Sequence, residues 1–288
     1  MAAAPAAPVV RTALVQLTAS DDPEATLPAT RAALTEAALE GARFVLTPEV
    51  TNCVSASRSR QEEVLREEGE DPTLAALRDD AARHGVWLLI GSLALKQPGD
   101  GRFANRSFLI SPAGEIEARY DKIHMFDVDI DATESYRESA GFRPGEAAIL
   151  AQTPFARIGM TVCYDLRFPY LYRALAQAGA EVLTVPAAFS PVTGAAHWHA
   201  LLRARAIESG AWVLAPAQAG QHEAAVGKAR RTYGHSLAVA PWGEVVAEAG
   251  EAPGIIAFDM DMAAVAEARA RVPSLTHDRS FAAPATPP

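Results

Sequence analysis

Apolar positions recur along this chain with two different periods. Val9 to Gln16 alternates apolar and polar residues and reads as a strand. Pro23 to Glu40 carries Leu27, Ala32, Leu34 and Ala37-Ala38 at helical spacing and stops at Gly41. Phe44 to Leu46 is a short buried strand. Asp71 to His84 is a second helix, with Asp71 as N-cap, Pro72 at the first helical position and Gly85 closing it. Val86 to Leu95, Arg102 to Ile110 and Glu115 to Tyr120 form a strand meander with a turn at Ser111 to Gly114. Ile149 to Thr153 and Ala156 to Val162 are strands, Tyr170 to Ala178 a helix, and Val182 to Val185 a strand. His197 to Glu208 is helical, Trp212 to Ala217 extended, and Ser236 to Ala249 a hairpin around Pro241-Trp242-Gly243. Helices and strands that alternate, with hairpins between them, predict a layered α/β fold with mixed sheets.

Composition narrows the class. The chain has 288 residues, 49% of them hydrophobic, and a net charge of −9. Mean hydropathy is +0.03. No Pro/Gly/Ser-rich linker divides the interior, so a single domain over residues 9–261 is expected. Residues 1–8 read as a disordered tail, without the basic and apolar regions of a signal peptide. Residues 262–288 read as an extension that contacts a second subunit. No apolar run reaches the length of a membrane span, about 18 residues. The densest basic spot, Lys228 to Arg231, is too small for a nucleic-acid surface. Two cysteines, Cys53 and Cys163, do not make a disulfide framework. A reducing, cytoplasmic setting is therefore expected, with neither membrane nor nucleic acid as partner.

Three segments carry candidate chemistry. Gly159 to Val162 is small and apolar and leads into Cys163, followed by a helix start near Phe168-Pro169. This is how a nucleophile is presented at a strand-to-helix elbow, with free N–H groups facing a developing oxyanion. Glu49 follows the apolar run ending at Leu46. Lys122 lies among aromatic and apolar neighbours in Tyr120 to His124. A lone cysteine is ordinarily a small buried hydrophobe, a lone glutamate after proline a turn residue, and a lone lysine a surface residue. Together, near the ends of strands, the three point to acyl-transfer hydrolysis. His197 and His199 do not suggest a metal pair, because i,i+2 spacing on a helix points the rings apart. Neither metal nor cofactor is expected.

The segments Leu46 to Val50, Tyr120 to Asp127 and Cys163 to Pro169 resemble the nitrilase superfamily, the carbon–nitrogen hydrolases with a Glu-Lys-Cys triad. The resemblance spans about Val10 to Asp261. It implies a four-layer α-β-β-α sandwich with mixed sheets that assembles as a homodimer or larger oligomer. It implies that Glu49 is the base, that Cys163 is the nucleophile, and that Lys122 and the Tyr164 N–H hold the oxyanion. It makes Glu138, sixteen residues after the lysine, a fourth functional residue that orients Lys122.

Within the superfamily, Pro186 to Trp198 resembles the Nit branch, and Ala217 to His222 with Tyr233 to Ser236 resembles its deaminated glutathione amidases. The implied substrate is a small-molecule amide of an α-keto acid, deaminated glutathione first. An ω-amidase acting on 2-oxoglutaramate or 2-oxosuccinamate is the alternative, followed by other aliphatic amidases, nitrilases and carbamoylases, and last a non-catalytic scaffold. The loop Gln221 to Ala229 and Pro191-Val192 depart from the subgroup. His124, Arg167, Ala188, Phe189 and Thr193 are candidate substrate contacts. Arg167, Arg205, Lys228 and Arg231 are candidates for binding substrate carboxylates. Asp165 and Arg167 are expected to brace the elbow, and Cys53 to be packed.

Overall fold

The computed structural model describes residues 7–130 and 135–284; most of the expected N-terminal tail, and the acidic loop positions Asp131 and Glu134, lie outside them. In chain order the strands are β1 (Val9–Gln16), β2 (Phe44–Leu46), β3 (Trp87–Leu95), β4 (Ala104–Ile110), β5 (Ile116–Asp121), β6 (Asp127–Asp129), β7 (Ser135–Arg137), β8 (Ile149–Gln152), β9 (Arg157–Met160), β10 (Val182–Thr184), β11 (Trp212–Ala215), β12 (Ala219–His222), β13 (Arg230–Tyr233), β14 (Leu237–Val239), β15 (Val245–Glu248) and β16 (Gly254–Asp261). The helices are α1 (Pro23–Leu39), α2 (Arg58–Val64), α3 (Pro72–His84), α4 (Pro169–Gln177), α5 (Pro191–Ser209) and α6 (Ala263–Arg271).

Two six-stranded mixed sheets share one plan. The first runs β16-β1-β2-β3-β4-β5 and the second β15-β14-β11-β10-β9-β8. In each, three central strands are parallel and the flanking strands antiparallel. Strand alternation sorts side chains onto two faces. Val10, Leu14, Phe44, Leu46 and Leu89 enter the core between the sheets, whereas Ala13, Val15, Val45, Leu88 and Ile90 pack under α1 and α3. On the second sheet α4 and α5 supply Leu171, Tyr172, Trp198 and Leu202. The result is the expected four-layer α-β-β-α sandwich. Among the described residues no helix is long and apolar enough to cross a membrane.

Local chemistry explains where elements begin. The Asp71 side chain accepts from Leu74 N, Pro72 opens α3, and Gly85 closes it at φ 64°. Helix α5 starts six residues before the expected His197. The Ser190 side chain accepts from Thr193 N and Pro191 occupies the first turn, a cap that outweighs the weak periodicity of Val192 to Ala196. Six further elements lie outside the sequence expectation: α2, the hairpin strands β6, β7, β12 and β13, and β16, which pairs with β1 over its whole length. Helix α6, within the expected C-terminal extension, buries Val265 and Ala268.

Candidate active site

The carboxyl ends of the central parallel strands deliver the chemistry, the usual place for a site in sheets of this kind. Glu49 follows β2, Cys163 follows β9, and the segment Pro186 to Phe189 follows β10. The two sheets meet closely here. A Cβ at Gly91 would lie 2.0 Å from the Thr47 oxygen and 2.5 Å from Pro186 Cβ, so only glycine lets β3 pass between the two segments. Cys163 N donates to Pro186 O at 2.9 Å, and Gln218 Nε2 donates to Glu49 O at 3.0 Å.

Cys163 itself has φ 51°, a strained backbone for a residue other than glycine. The strain is held by Asp165, which is fully buried. Its carboxylate accepts from Val162 N (2.8 Å), Tyr120 Oη (2.6 Å) and His124 N (3.0 Å). The sulfur is thereby fixed at the start of the 3-10 turn Cys163–Arg167, whose leading N–H groups, Tyr164 among them, have no partner within the turn.

Lys122 follows β5. Its ammonium lies 2.8 Å from Glu49 Oε1 and 2.8 Å from Glu138 Oε2. Glu138 is oriented in turn by Phe126 N at 2.6 Å. Asn105 Nδ2 donates to both carboxylates, at 2.9 Å to Glu49 and 3.2 Å to Glu138. Glu49, Lys122, Glu138 and Cys163 all line one cavity of about 340 Å³. A small cleft that also touches Cys163 and Phe126 is lined by Tyr164, Ala188, Phe189 and Thr193.

The sequence model of the carbon–nitrogen hydrolase family matches residues 11–270. The chain belongs to the carbon–nitrogen hydrolase family. It is 42% identical over 241 residues to a deaminated glutathione amidase of Yersinia enterocolitica, covering 83% of this chain and 82% of that one. The crystal structure of the Caenorhabditis elegans NitFhit protein superposes with a TM-score of 0.88 at 33% identity, over 95% of this chain and 66% of that one. Saccharomyces cerevisiae Nit3, of branch 10 of the nitrilase superfamily, does so with a TM-score of 0.82 at 30% identity, over 95% and 97%. The resemblance read from the motifs therefore holds at the level of family and branch.

The electrostatics of this carbon–nitrogen hydrolase site follow from burial and mutual charge. Burial, and then the Glu49 charge, hold the Cys163 thiol well above the ordinary cysteine range. Burial by itself would raise the Glu49 carboxyl; the Lys122 charge, the hydrogen bonds from Cys163 and Lys122 and the Arg230 charge together outweigh it, and the carboxyl stays below the ordinary glutamate value. Burial also works against the Lys122 ammonium, but the Glu138 and Glu49 charges raise its pKa above the ordinary value. The resting set is thus a neutral thiol, an ionised carboxylate and an ammonium.

The remaining sequence candidates fall into other places. The His124 ring bonds Asp165 at 2.7 Å and stacks on Phe168 at 3.6 Å, and so braces the elbow from behind. Arg167 bonds His197 at 3.2 Å and lies over the rings of Tyr164 and Phe189, outside the cavity lining. Arg205 is spent on Leu166 O and Glu208. His199 and His235 both bond Glu248, so the His197/His199 pair serves two separate contacts. Lys228 and Arg231 line a neighbouring basin rather than the cavity. Cys53 does line the cavity, and burial pushes its thiol up to about 12.

Sequence reasoning missed Asn105, Arg58 and Arg230, which also line the cavity. What sets Arg230 apart is the alternation of β13, a strand outside the sequence expectation. Along β13 the residues alternate, Thr232 buried and Arg231 exposed, so Arg230 is turned inward where its neighbour is not.

Proposed function

We propose that the chain is a thiol amidohydrolase that cleaves the amide bond of deaminated glutathione, releasing 2-oxoglutarate and cysteinylglycine. The observation that carries this reading is the convergence of Cys163, Glu49 and Lys122 on one cavity, with Glu138 and Asn105 holding the charges in register. The name of the Yersinia relative supports the substrate.

The chemistry runs in two halves. Glu49 takes the thiol proton as Cys163 Sγ bonds to the amide carbon. A thiol kept neutral by its surroundings needs such a base at the moment of attack. The tetrahedral oxygen, now negative, is held by the Lys122 ammonium and the Tyr164 N–H. The C–N bond breaks, the amine leaves with the proton carried by Glu49, and a thioester remains on Cys163. Water then attacks the thioester, Glu49 taking its proton. The acid departs, and the thiol is restored. Lys122 keeps its proton throughout, because two carboxylates flank it.

The test is steady-state hydrolysis of deaminated glutathione and 2-oxoglutaramate side by side, with wild type and Cys163→Ala. A preference in kcat/KM for deaminated glutathione of about tenfold or more, lost in the variant, supports the reading. A preference for 2-oxoglutaramate makes the chain an ω-amidase, since both substrates carry the same acyl group. The proposal extends to a cytoplasmic homodimer, which sedimentation of the purified chain checks for assembly.

A further inference from the structure

Three guanidinium groups line the cavity, and two are already neutralised. Arg58 pairs with Glu62 at 3.1 Å, donates to Gly141 O at 2.8 Å and lies over the Phe103 ring. Arg137 pairs with Asp129 at 2.7 Å. Arg230 differs. It has no ion-pair carboxylate among the described residues, and its Nε–H, although buried, meets no acceptor among them. Among the described residues its guanidinium donates from Nη2 to Ala188 O at 2.7 Å and faces the Tyr136 ring at 5.6 Å.

A guanidinium held at the wall of a cavity without a counter-ion is costly unless an anion completes it. Ala188 offers its carbonyl to Arg230, and the same residue lines the small cleft against Cys163. The cation and the sulfur therefore both border the segment around Ala188, and both line the same cavity. The Arg230 charge also reaches Glu49, where it favours the carboxylate. The two guanidinia already paired cannot serve without giving up a carboxylate. Arg230 can accept an anion at no such cost.

We propose that Arg230 is the anchor for a carboxylate at the far end of the acyl group, and so a residue that determines acyl specificity. This rests on the reading of the chain as an amidase of α-keto acids. In the 2-oxoglutaryl group the carboxylate lies four bonds from the amide carbon, and the anchor selects amides that present an anion at that reach. An Arg–carboxylate contact is charge-assisted and can be bidentate, which gives length selection as well as affinity.

The experiment compares 2-oxoglutaramate with 4-oxopentanamide, in which a methyl group replaces the carboxylate, on the full chain. Wild type is expected to prefer 2-oxoglutaramate in kcat/KM. Arg230→Gln should lower kcat/KM for 2-oxoglutaramate by about 10- to 100-fold, mostly through KM, and leave 4-oxopentanamide within about threefold. Arg230→Lys should retain part of the preference, because charge remains while the fork is lost. Arg231→Gln, on the exposed face of the same strand, should match wild type.

Equal losses on both amides in Arg230→Gln would mean a structural role and would overturn the anchor. A preference that survives in Arg230→Gln would overturn it as well, while leaving the proposed function standing. A wild type with no preference between the amides would instead remove the α-keto-acid reading, and the anchor with it. Should Arg230→Gln fail to fold, Arg230→Lys decides, since an undiminished preference in that variant would rule out bidentate recognition.

Discussion

Lys122 Nζ donates to Glu49 Oε1 at 2.8 Å, and both side chains are almost wholly buried, 2% and 5% exposed. The two residues lie 73 positions apart in sequence and reach the contact from the ends of β5 and β2, which are not neighbours in their sheet. A buried pair of this kind is favourable only when its remaining lone pairs and protons are also satisfied. Asn105 and Glu138 supply that: the amide bonds both carboxylates, and Glu138 takes the other side of the ammonium.

Glu49→Gln keeps the shape of this network and removes the proposed base. The variant is expected to fold, with a Tm near that of wild type, and to lose about 10²- to 10⁴-fold in kcat. Steady-state kinetics beside a thermal melt checks this. A turnover near wild type would take Glu49 out of the mechanism.

Lys122→Met should destabilise the fold by about 3–5 kcal/mol, because it leaves the buried Glu49 and the half-buried Glu138 without their shared ammonium. Without the ammonium, burial and like charge raise the pKa of one carboxyl above its unfolded value. That carboxyl is most comfortable when protonated, so the variant's stability relative to wild type should rise as pH falls and be lost as pH rises. Urea unfolding at mildly acidic and mildly alkaline pH reads the difference. The opposite slope would contradict the account.

The pH profile of kcat/KM should be broad. The acid limb follows Glu49, whose pKa is lowered from 4.5, so it lies below that value. The alkaline limb follows the thiol and the ammonium, both raised, so it lies above 9.0. A limb in the neutral range would show that another group titrates in the rate-determining step.

Asp165→Ala removes the acceptor shared by Val162 N, Tyr120 Oη and the His124 backbone and ring. Buried donors left without a partner make this variant about 3–5 kcal/mol less stable. Released from its brace, Cys163 should relax from φ 51°, and kcat should fall with the Tm. A variant that loses stability but keeps full kcat would separate the elbow geometry from catalysis.

His222 is buried between Ala19 O and Thr232 Oγ1, each at 2.7 Å. Burial lowers its pKa from 6.5 to about 4. The unfolded chain therefore binds a proton between those values that the folded chain refuses. Stability is lost as pH falls through that window, by about 3 kcal/mol in all. His222→Gln should flatten the acid side of the stability curve, as measured by urea midpoints from pH 7 to about 4. An unchanged slope would assign the acid sensitivity elsewhere.

Much of the frame was legible without coordinates. Period-two apolar runs such as Val9 to Gln16 and capped helices such as Asp71 to Gly85 are local facts, written in residues that touch within a turn or a strand. The order of Glu49, Lys122 and Cys163, each in a long motif, was enough to indicate the family. Elements with weak periodicity were not legible: α2 is seven residues long, and the first turns of α5 depend on a Ser-Pro cap rather than on an apolar stripe.

The sequence by itself determined which residue types stand at the ends of which strands, because alternation and capping are short-range. Only the tertiary structure decided which of them meet. Asn105 reads as an ordinary strand residue until β4 places it between two carboxylates. Arg167 and Arg230 are equivalent as letters, yet one is tied to His197 and the other lines the cavity. A side chain's charge state and reach depend on burial and on partners brought from distant segments. Those are set when the two sheets close on each other around Gly91, not by neighbours along the chain.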